Sequence, residues 1–339
     1  MSLHSVSIIG TGAYLPDAVI TNADLEKMVD TNDEWIFSRT GIRERRKMGD
    51  EQTVTEMGAA AAQRAIEAAG IDPAEIDLII AASFTADLAF PPLAAMIQRE
   101  IGATRAAAFD TNAVCAGFLF AMVQGAQFVQ TGAYKTALIV AAEGLTRFVD
   151  YTDRNSCILF GDGAGAAILR AGEPVAADAP LSDKTGFIDF DLGSDGTRVN
   201  VAFVPRANAP AAWLKTLSER EQITPYIWQD GRAMFKAAIN GMTDSVKRIL
   251  DRQHISAEEI ATLVPHQANL RIIEAVGERV GIPTERVALC LEEYGNTSAA
   301  SMAITLDKWK RLGRIGQGDL VMFTAFAGGL TWGSALFRM

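Results

Sequence analysis

Three residues in this chain are of a type and at a place that could do nucleophilic or hydrogen-bond chemistry: one cysteine, one histidine and one asparagine. Cys115 lies in "FDTNAVCAGFLFAM", residues 109–122, where a polar, Asn-bearing loop meets an apolar run. Alone, the stretch fits two readings. One is a buried thiol beside a core helix, since free cysteine is among the most buried residue types. The other is a nucleophile displayed at a helix start, where the dipole and free N–H groups favour thiolate and can hold an oxyanion. Cys157 in "NSCILFG" and Cys290 in "VALCLEE" lie in strand-like apolar runs and are expected in the core. Three cysteines do not suggest a disulfide framework. No close Cys/His pair has zinc-ligand spacing, so no metal site is expected.

Of three histidines, His4 lies in an N-terminal strand or tail and His254 in the polar "DRQHIS". His266, in "LVPHQAN", stands where an apolar strand ends and the helix-like "NLRIIEAVGERVG" begins. Strand ends in α/β units are where functional side chains reach a crevice; a polar residue capping a strand is the plain alternative. Asn296, in "EEYGNTSAAS", is either a turn residue or helix cap or a hydrogen-bond donor in a loop with no competing acid or base. Two glycine motifs mislead. "GTGAYLP", residues 10–16, has Leu15 and Pro16 where a dinucleotide fingerprint needs a glycine and a helix. "GDGAG", residues 161–165, lacks the Lys-Ser/Thr of a P-loop. Both read as turns.

The elements that must position these residues come in two similar series. Residues 53–69 have helical spacing and end at Gly70. A buried strand, "DLIIAAS", follows, then a strand over 105–114, a helix over 115–130 and the strand "TALIVAAE" at 136–143. "ILFGDGAGAAILR", 158–170, reads as a strand pair with a Gly-rich turn. The second half repeats this order: a helix over 232–252, the strand "ATLVPHQ", a strand, Gly/Asn/Ser loop and helix in "RVALCLEEYGNTSAASMAITLDKWKRL", then strand, turn and strand in "DLVMFTAFAGGLTWGSALFRM". Ile80 precedes Cys115 by 35 residues and Leu263 precedes Ser298 by 35; Cys115 to Leu138 and Ser298 to Val321 are both 23. The matching intervals imply a duplicated unit and a layered α/β architecture whose equivalent loops face one crevice.

The 339 residues, 49% of them hydrophobic, suffice for a large core and suggest two compact units. No eighteen-residue apolar run predicts a membrane span. The first residues do not resemble a secretory signal, so a cytoplasmic setting is expected. A net charge of −10 argues against general nucleic-acid binding. Against that balance, "RTGIRERRK" holds Arg39, Arg43, Arg45, Arg46 and Lys47 against Glu44 alone. It is either a solvated loop or a landing site for an anionic group.

The set "AVCAGF", "VPHQAN", "YGNTSAAS" and "AFAGGLTWG", with "DEWIFSRTGIRERR" and "FGDGAGAAIL", resembles β-ketoacyl-[acyl-carrier-protein] synthase III of type II fatty-acid synthesis. The resemblance runs from about residue 5 to the C-terminus. It implies the thiolase fold, two pseudo-symmetric α/β halves (1–175 and 176–339) forming a layered αβαβα core, usually in a homodimer. It implies Cys115 as the acylated nucleophile and His266 and Asn296 as its triad partners. The backbone N–H groups of Cys115 and Gly328 would form an oxyanion hole. The implied reaction is a decarboxylative Claisen condensation of acyl-CoA with malonyl-acyl-carrier protein, with no cofactor. Trp35 and Arg154 would sandwich the CoA adenine, and Arg39 would lie near the phosphates. Phe235, Asn269 and Phe326 would line the channel. Lys236 and Arg271 would meet the acidic carrier protein, and Phe90 would reach the partner subunit's acyl pocket.

The chain departs from the pattern in places. Residues 204–226 look longer than usual near the channel mouth; Ala327 and Leu330 replace a common Gly and Phe, and Glu278–Arg279 a frequent basic pair. Three rivals stand beside this reading. A biosynthetic thiolase needs a second cysteine near the C-terminal turn, and none follows Cys290. A synthase III-like acyltransferase or condensing enzyme of secondary metabolism would keep all three catalytic residues with another starter or acceptor. A catalytically idle scaffold would not need them together.

Overall fold

The computed structural model describes residues 2–176, 179–217 and 224–339. Nine strands form the main sheet: β1 (Ser2–Tyr14), β2 (Leu78–Ala82), β3 (Ala107–Thr111), β4 (Thr136–Glu143), β5 (Gly163–Ala176), β6 (Gly186–Ser194), β7 (Thr262–Pro265), β8 (Leu320–Ala327) and β9 (Thr331–Arg338). Their spatial order is β7-β8-β9-β6-β1-β5-β4-β2-β3. β1 and β6 meet through the single pair Val6–Gly186. Gly186 has φ 73°, and a Cβ there would lie 2.0 Å from the Val6 carbonyl oxygen, so only glycine fits the junction.

On either side of that junction the pairing pattern is the same. β1/β5 and β5/β4 are antiparallel, and β4/β2 and β2/β3 parallel. β6/β9 and β9/β8 are antiparallel, β8/β7 is parallel, and a parallel Leu263–Val287 bridge stands where β3 does in the first series. The register repeats as well. Ile79–Leu138 through Ala82–Ala141 correspond to Thr262–Val321 through Pro265–Thr324, shifted by the interval that separates Cys115 from Ser298. The duplication inferred from spacing is therefore present residue by residue in the ladders.

Among the described residues, six longer helices cover the sheet: α1 (Val54–Ala69), α2 (Leu93–Ile101), α3 (Gly117–Gln130), α4 (Gly231–Gln253), α5 (Leu270–Val280) and α6 (Ala300–Arg311). Strand alternation sorts their partners. Ile79 and Ala81 join a core with α1 and α2, whereas Leu78, Ile80 and Ala82 face α3. The core containing α3 and α6 also takes Val321, Phe323 and Phe337 from the second series. Met322 and Leu336 point the other way, to α4 and α5. The result is five layers, helix–sheet–helix–sheet–helix. Because helices cover both faces, β2, β4, β7 and β8 are apolar but for Thr136, Glu143, Thr262 and Thr324.

Several local expectations fail for stated reasons. "GTGAY" is not a turn; it continues β1. A Cβ on Gly12 would lie 2.4 Å from the Ala61 carbonyl oxygen, so the glycines admit α1 against the strand. "ILFGDGAGAAILR" is one strand, β5, preceded by a turn rather than a strand pair. There Asp162 accepts from the Met48 and Thr146 N–H groups, replacing a ladder with side-chain bonds. Cys157 and Cys290 are buried but outside strands: Cys157 lies in a turn and Cys290 caps the short helix Leu291–Tyr294. "RVALC" contributes only the Val287 bridge. Of the long 204–226 segment, residues 218–223 lie outside the described residues, while Ala211–Leu217 is a short helix. Among the described residues no helix is long and apolar enough to cross a membrane.

Candidate active site

Parallel strands of both series deliver their C-terminal ends to one crevice, as open α/β sheets do. β3 leads to Cys115 through the short turn Val114–Ala116, which runs into the fourteen-residue α3. Val114 has φ 48°, a left-handed conformation that costs a branched residue about 1–3 kcal/mol. Asn112 Oδ1 helps hold it by accepting the Val114 N–H at 3.1 Å. Ser298, the repeat mate of Cys115, also has φ 48°. The two mates touch: the Ser298 hydroxyl donates to Cys115 Sγ at 3.4 Å. Burial pushes the Cys115 thiol up to about 12, against the Ser298 bond, and the nearby Glu143 pushes it the same way.

His266 follows β7, with 3% of its surface exposed. Its Nδ1 lies 2.7 Å from Ser301 Oγ, and its buried Nε2 has no hydrogen-bond partner. Burial pushes its pKa down to about 3, so the ring is neutral. Asn296 is held by its backbone: its N–H donates to Leu159 O at 2.9 Å and its carbonyl accepts the Gly161 N–H at 3.1 Å. Its Oδ1 accepts the Ser298 N–H at 2.8 Å, which leaves the Nδ2 end of the amide as the donor. Gln267 links these two loops. Its Nε2 donates to Pro265 O and Ala288 O, and its Oε1 accepts the Cys290 and Leu291 N–H groups.

Cys115, His266, Asn296 and Gly328 line one cavity of about 560 Å³ that also reaches Trp35, Arg39, Phe235, Asn269 and Phe326. Trp35 and Arg39 share a face of the helix Asp33–Thr40, one turn apart, with the guanidinium 4.4 Å from the ring centroid. Arg154 lies 5.1 Å from the same ring and bonds Asp30 O. Asn269 caps α5 through Arg271 N–H and donates Nδ2 to Arg39 O. Lys236 on α4 and Arg271 on α5 are exposed. Phe90 does not line the cavity; it is 84% exposed. The members of the basic run are placed differently. Arg43 pairs with Asp33 and Glu292, Arg46 approaches Glu44, and Arg45 is buried on the carbonyls of Ile20 and Ile158. Only Arg39 of the run lines the cavity.

With this geometry in place, comparison with known proteins decides the family. Residues 109–196 match the model for 3-oxoacyl-[acyl-carrier-protein] synthase III, and residues 250–339 match its C-terminal model. The β-ketoacyl-[acyl-carrier-protein] synthase III of Clostridium acetobutylicum is 43% identical over 99% of both chains. The chain belongs to the synthase III family. The solved synthase III of Aquifex aeolicus is 40% identical with a TM-score of 0.89, covering 98% of this chain and 100% of that one. A priming β-ketosynthase of a polyketide pathway is 34% identical, with a TM-score of 0.88 over 99% and 97%. The five layers are accordingly the thiolase fold of the synthase III family.

Four residues near this synthase III site were not singled out from sequence: Glu143, Gln267, Ser298 and Ser301. Glu143 carried a signal, an acid ending the otherwise apolar "TALIVAAE". Ser298 and Ser301 lie in a loop and at a helix start, and Gln267 between a strand and a helix, with no local pattern that marks them. Their partners are remote in the chain.

Proposed function

We propose that this chain is a condensing acyltransferase that joins an acyl-CoA starter to malonyl-acyl-carrier protein, giving 3-oxoacyl-carrier protein and CO₂. The single observation that carries the reading is that Cys115, His266 and Asn296 line one cavity of a synthase III-family chain, with His266 Nε2 left without a protein partner. In the first half-reaction Cys115 Sγ attacks the thioester carbonyl and CoA leaves. The thiol proton ends on the departing CoA sulfur, so a resting thiol suits the balance and no net acceptor is needed. The Cys115 and Gly328 N–H groups receive the tetrahedral oxyanion. In the second, His266 Nε2 and Asn296 Nδ2 donate to the malonyl thioester oxygen. CO₂ leaves, the enolate carbon attacks acyl-Cys115, and the freed Cys115 sulfur takes a proton from water. Neither step requires a cofactor. Ping-pong kinetics follow.

The same reading assigns the CoA adenine to Trp35 and Arg154, which must part to admit it, and its phosphates to Arg39. Phe235, Asn269 and Phe326 take the pantetheine and acyl chain, and Lys236 and Arg271 the carrier protein. It places Phe90, exposed in the single chain, in the acyl pocket of a homodimer partner, divides the chain into halves 1–175 and 176–339, and sets the enzyme in the cytoplasm.

The test is intact mass after incubation with a panel of acyl-CoAs, with Cys115→Ala as control. An acyl increment on the wild type alone supports the assignment; none, or equal labelling of both, defeats it. Adding malonyl-carrier protein should then release CO₂ and 3-oxoacyl product. A second reading, a condensing enzyme of secondary metabolism, draws on the likeness to the polyketide priming β-ketosynthase. Acylation by an acyl-CoA panel followed by transfer to a different acceptor would select it.

A further inference from the structure

His266 can present either of two faces to substrate, because a neutral imidazole carries its proton on Nδ1 or on Nε2. The partners of Ser301 decide between them. Ser301 is fully buried in the first turn of α6, and its Oγ has two neighbours: His266 Nδ1 at 2.7 Å and the Gln267 N–H at 3.2 Å. The amide can only donate, so Oγ is an acceptor there. Hydrogen bonding to the carbonyl one turn back is the usual outlet for a helical serine, but among the described residues Ser301 Oγ makes no such bond. The imidazole nitrogen is the one acceptor left for the hydroxyl proton. Were Nδ1 protonated, Ser301 would accept twice and its own hydrogen would be buried without a partner, an arrangement proteins avoid.

We propose that Ser301 is a positioning residue that donates to His266 Nδ1 and thereby fixes the imidazole proton on Nε2, facing the cavity. The consequence is chemical. An Nε2–H aimed at a thioester oxygen stabilises the charge that grows there as CO₂ departs. The other tautomer would turn a lone pair toward that oxygen and repel it. The fixed tautomer also bars His266 Nε2 from accepting the Cys115 proton, which leaves Cys115 activation to its own loop and to the leaving CoA. Burial keeps the ring from answering by protonating at both nitrogens. The repeat supplies no substitute: counting back by the Cys115-to-Ser298 interval, Phe118 stands where Ser301 does. The donor system therefore belongs to the second series only.

This inference deepens the function proposed above and rests on it for its catalytic meaning, but the tautomer can be read without turnover. Labelling the histidine rings with ¹⁵N gives only three imidazoles to assign, His4, His254 and His266. A long-range ¹⁵N–¹H correlation spectrum of the resting protein should show His266 protonated at Nε2. A proton on Nδ1 overturns the proposal. In turnover, Ser301→Ala should slow malonyl-carrier protein decarboxylation roughly 10- to 100-fold while acylation of Cys115 stays within about twofold, and Ser301→Thr should restore the rate. An alanine variant that decarboxylates at the wild-type rate, or loses both half-reactions equally, also overturns it. The spectrum stands whether or not the assigned reaction does, so the two failures are distinguishable.

Discussion

Replacing Glu143 by glutamine should remove a loss of stability that the wild type suffers as pH rises. Glu143 ends β4 fully buried, close to Cys115. Its Oε2 accepts the Ser83 hydroxyl at 3.2 Å and that of Thr85, while Oε1 has no partner. Burial pushes the carboxyl from 4.5 up to about 8, against the pull of the two hydroxyls. The folded protein thus keeps a proton that the unfolded chain releases. The sign follows: stability from this group is full below 4.5 and is lost as pH rises to about 8. At about 1.4 kcal/mol per pH unit, the interval amounts to about 5 kcal/mol at most, set against a total of about 5–15 kcal/mol for a typical protein. Glutamine keeps an oxygen for the hydroxyls and does not titrate. Urea unfolding of both proteins at one concentration, in steps from about pH 5 to about pH 8.5, should show the variant gaining on the wild type with each step. Parallel pH profiles would refute the reasoning. A second readout comes from Cys115: without the carboxylate, its alkylation by iodoacetamide above pH ~8 should be faster in the variant.

Gln267→Leu leaves four buried backbone groups, at Pro265, Ala288, Cys290 and Leu291, without their partner. At about 1–3 kcal/mol each, the loss should be at least roughly 4 kcal/mol by calorimetry, and an unchanged Tm would contradict it. Trp35→Ala should raise KM for acyl-CoA while sparing kcat, and the defect should vanish with an acyl-pantetheine thioester that has no adenine; an equal defect with both substrates removes Trp35 from adenine recognition. Lys236→Glu and Arg271→Glu should raise KM for malonyl-carrier protein, less so at high salt, and leave Cys115 acylation unchanged. Slowed acylation would show instead that they act on the site itself.

What could be read from the chain beforehand was whatever period and interval record. The apolar runs of β2, β4, β7 and β8 and the interval from Cys115 to Ser298 survive in the ladders pair for pair. What could not be read depends on contacts between distant segments. "GTG" is indistinguishable from a turn until α1 lies against it, and Arg45 looks solvated until the carbonyls of Ile20 and Ile158 enclose it. The thiol of Cys115 shows the same limit, since the helix start is visible in sequence while the upward push from burial and from Glu143 is not. The duplication also explains why the site is built from unlike residues. Two like copies bring equivalent positions together, as the contact of Cys115 with Ser298 shows, but acyl transfer needs a nucleophile on one side and donors on the other. Counted by the same interval, Ser83 faces the role of His266, Ala113 that of Asn296, Glu143 that of Phe326 and Phe118 that of Ser301. The frame is shared, and each functional group is found in only one copy. A sequence reading that recovers the repeat can therefore point to the crevice, while the division of labour within it has to be read from which member of each pair is polar and what it touches.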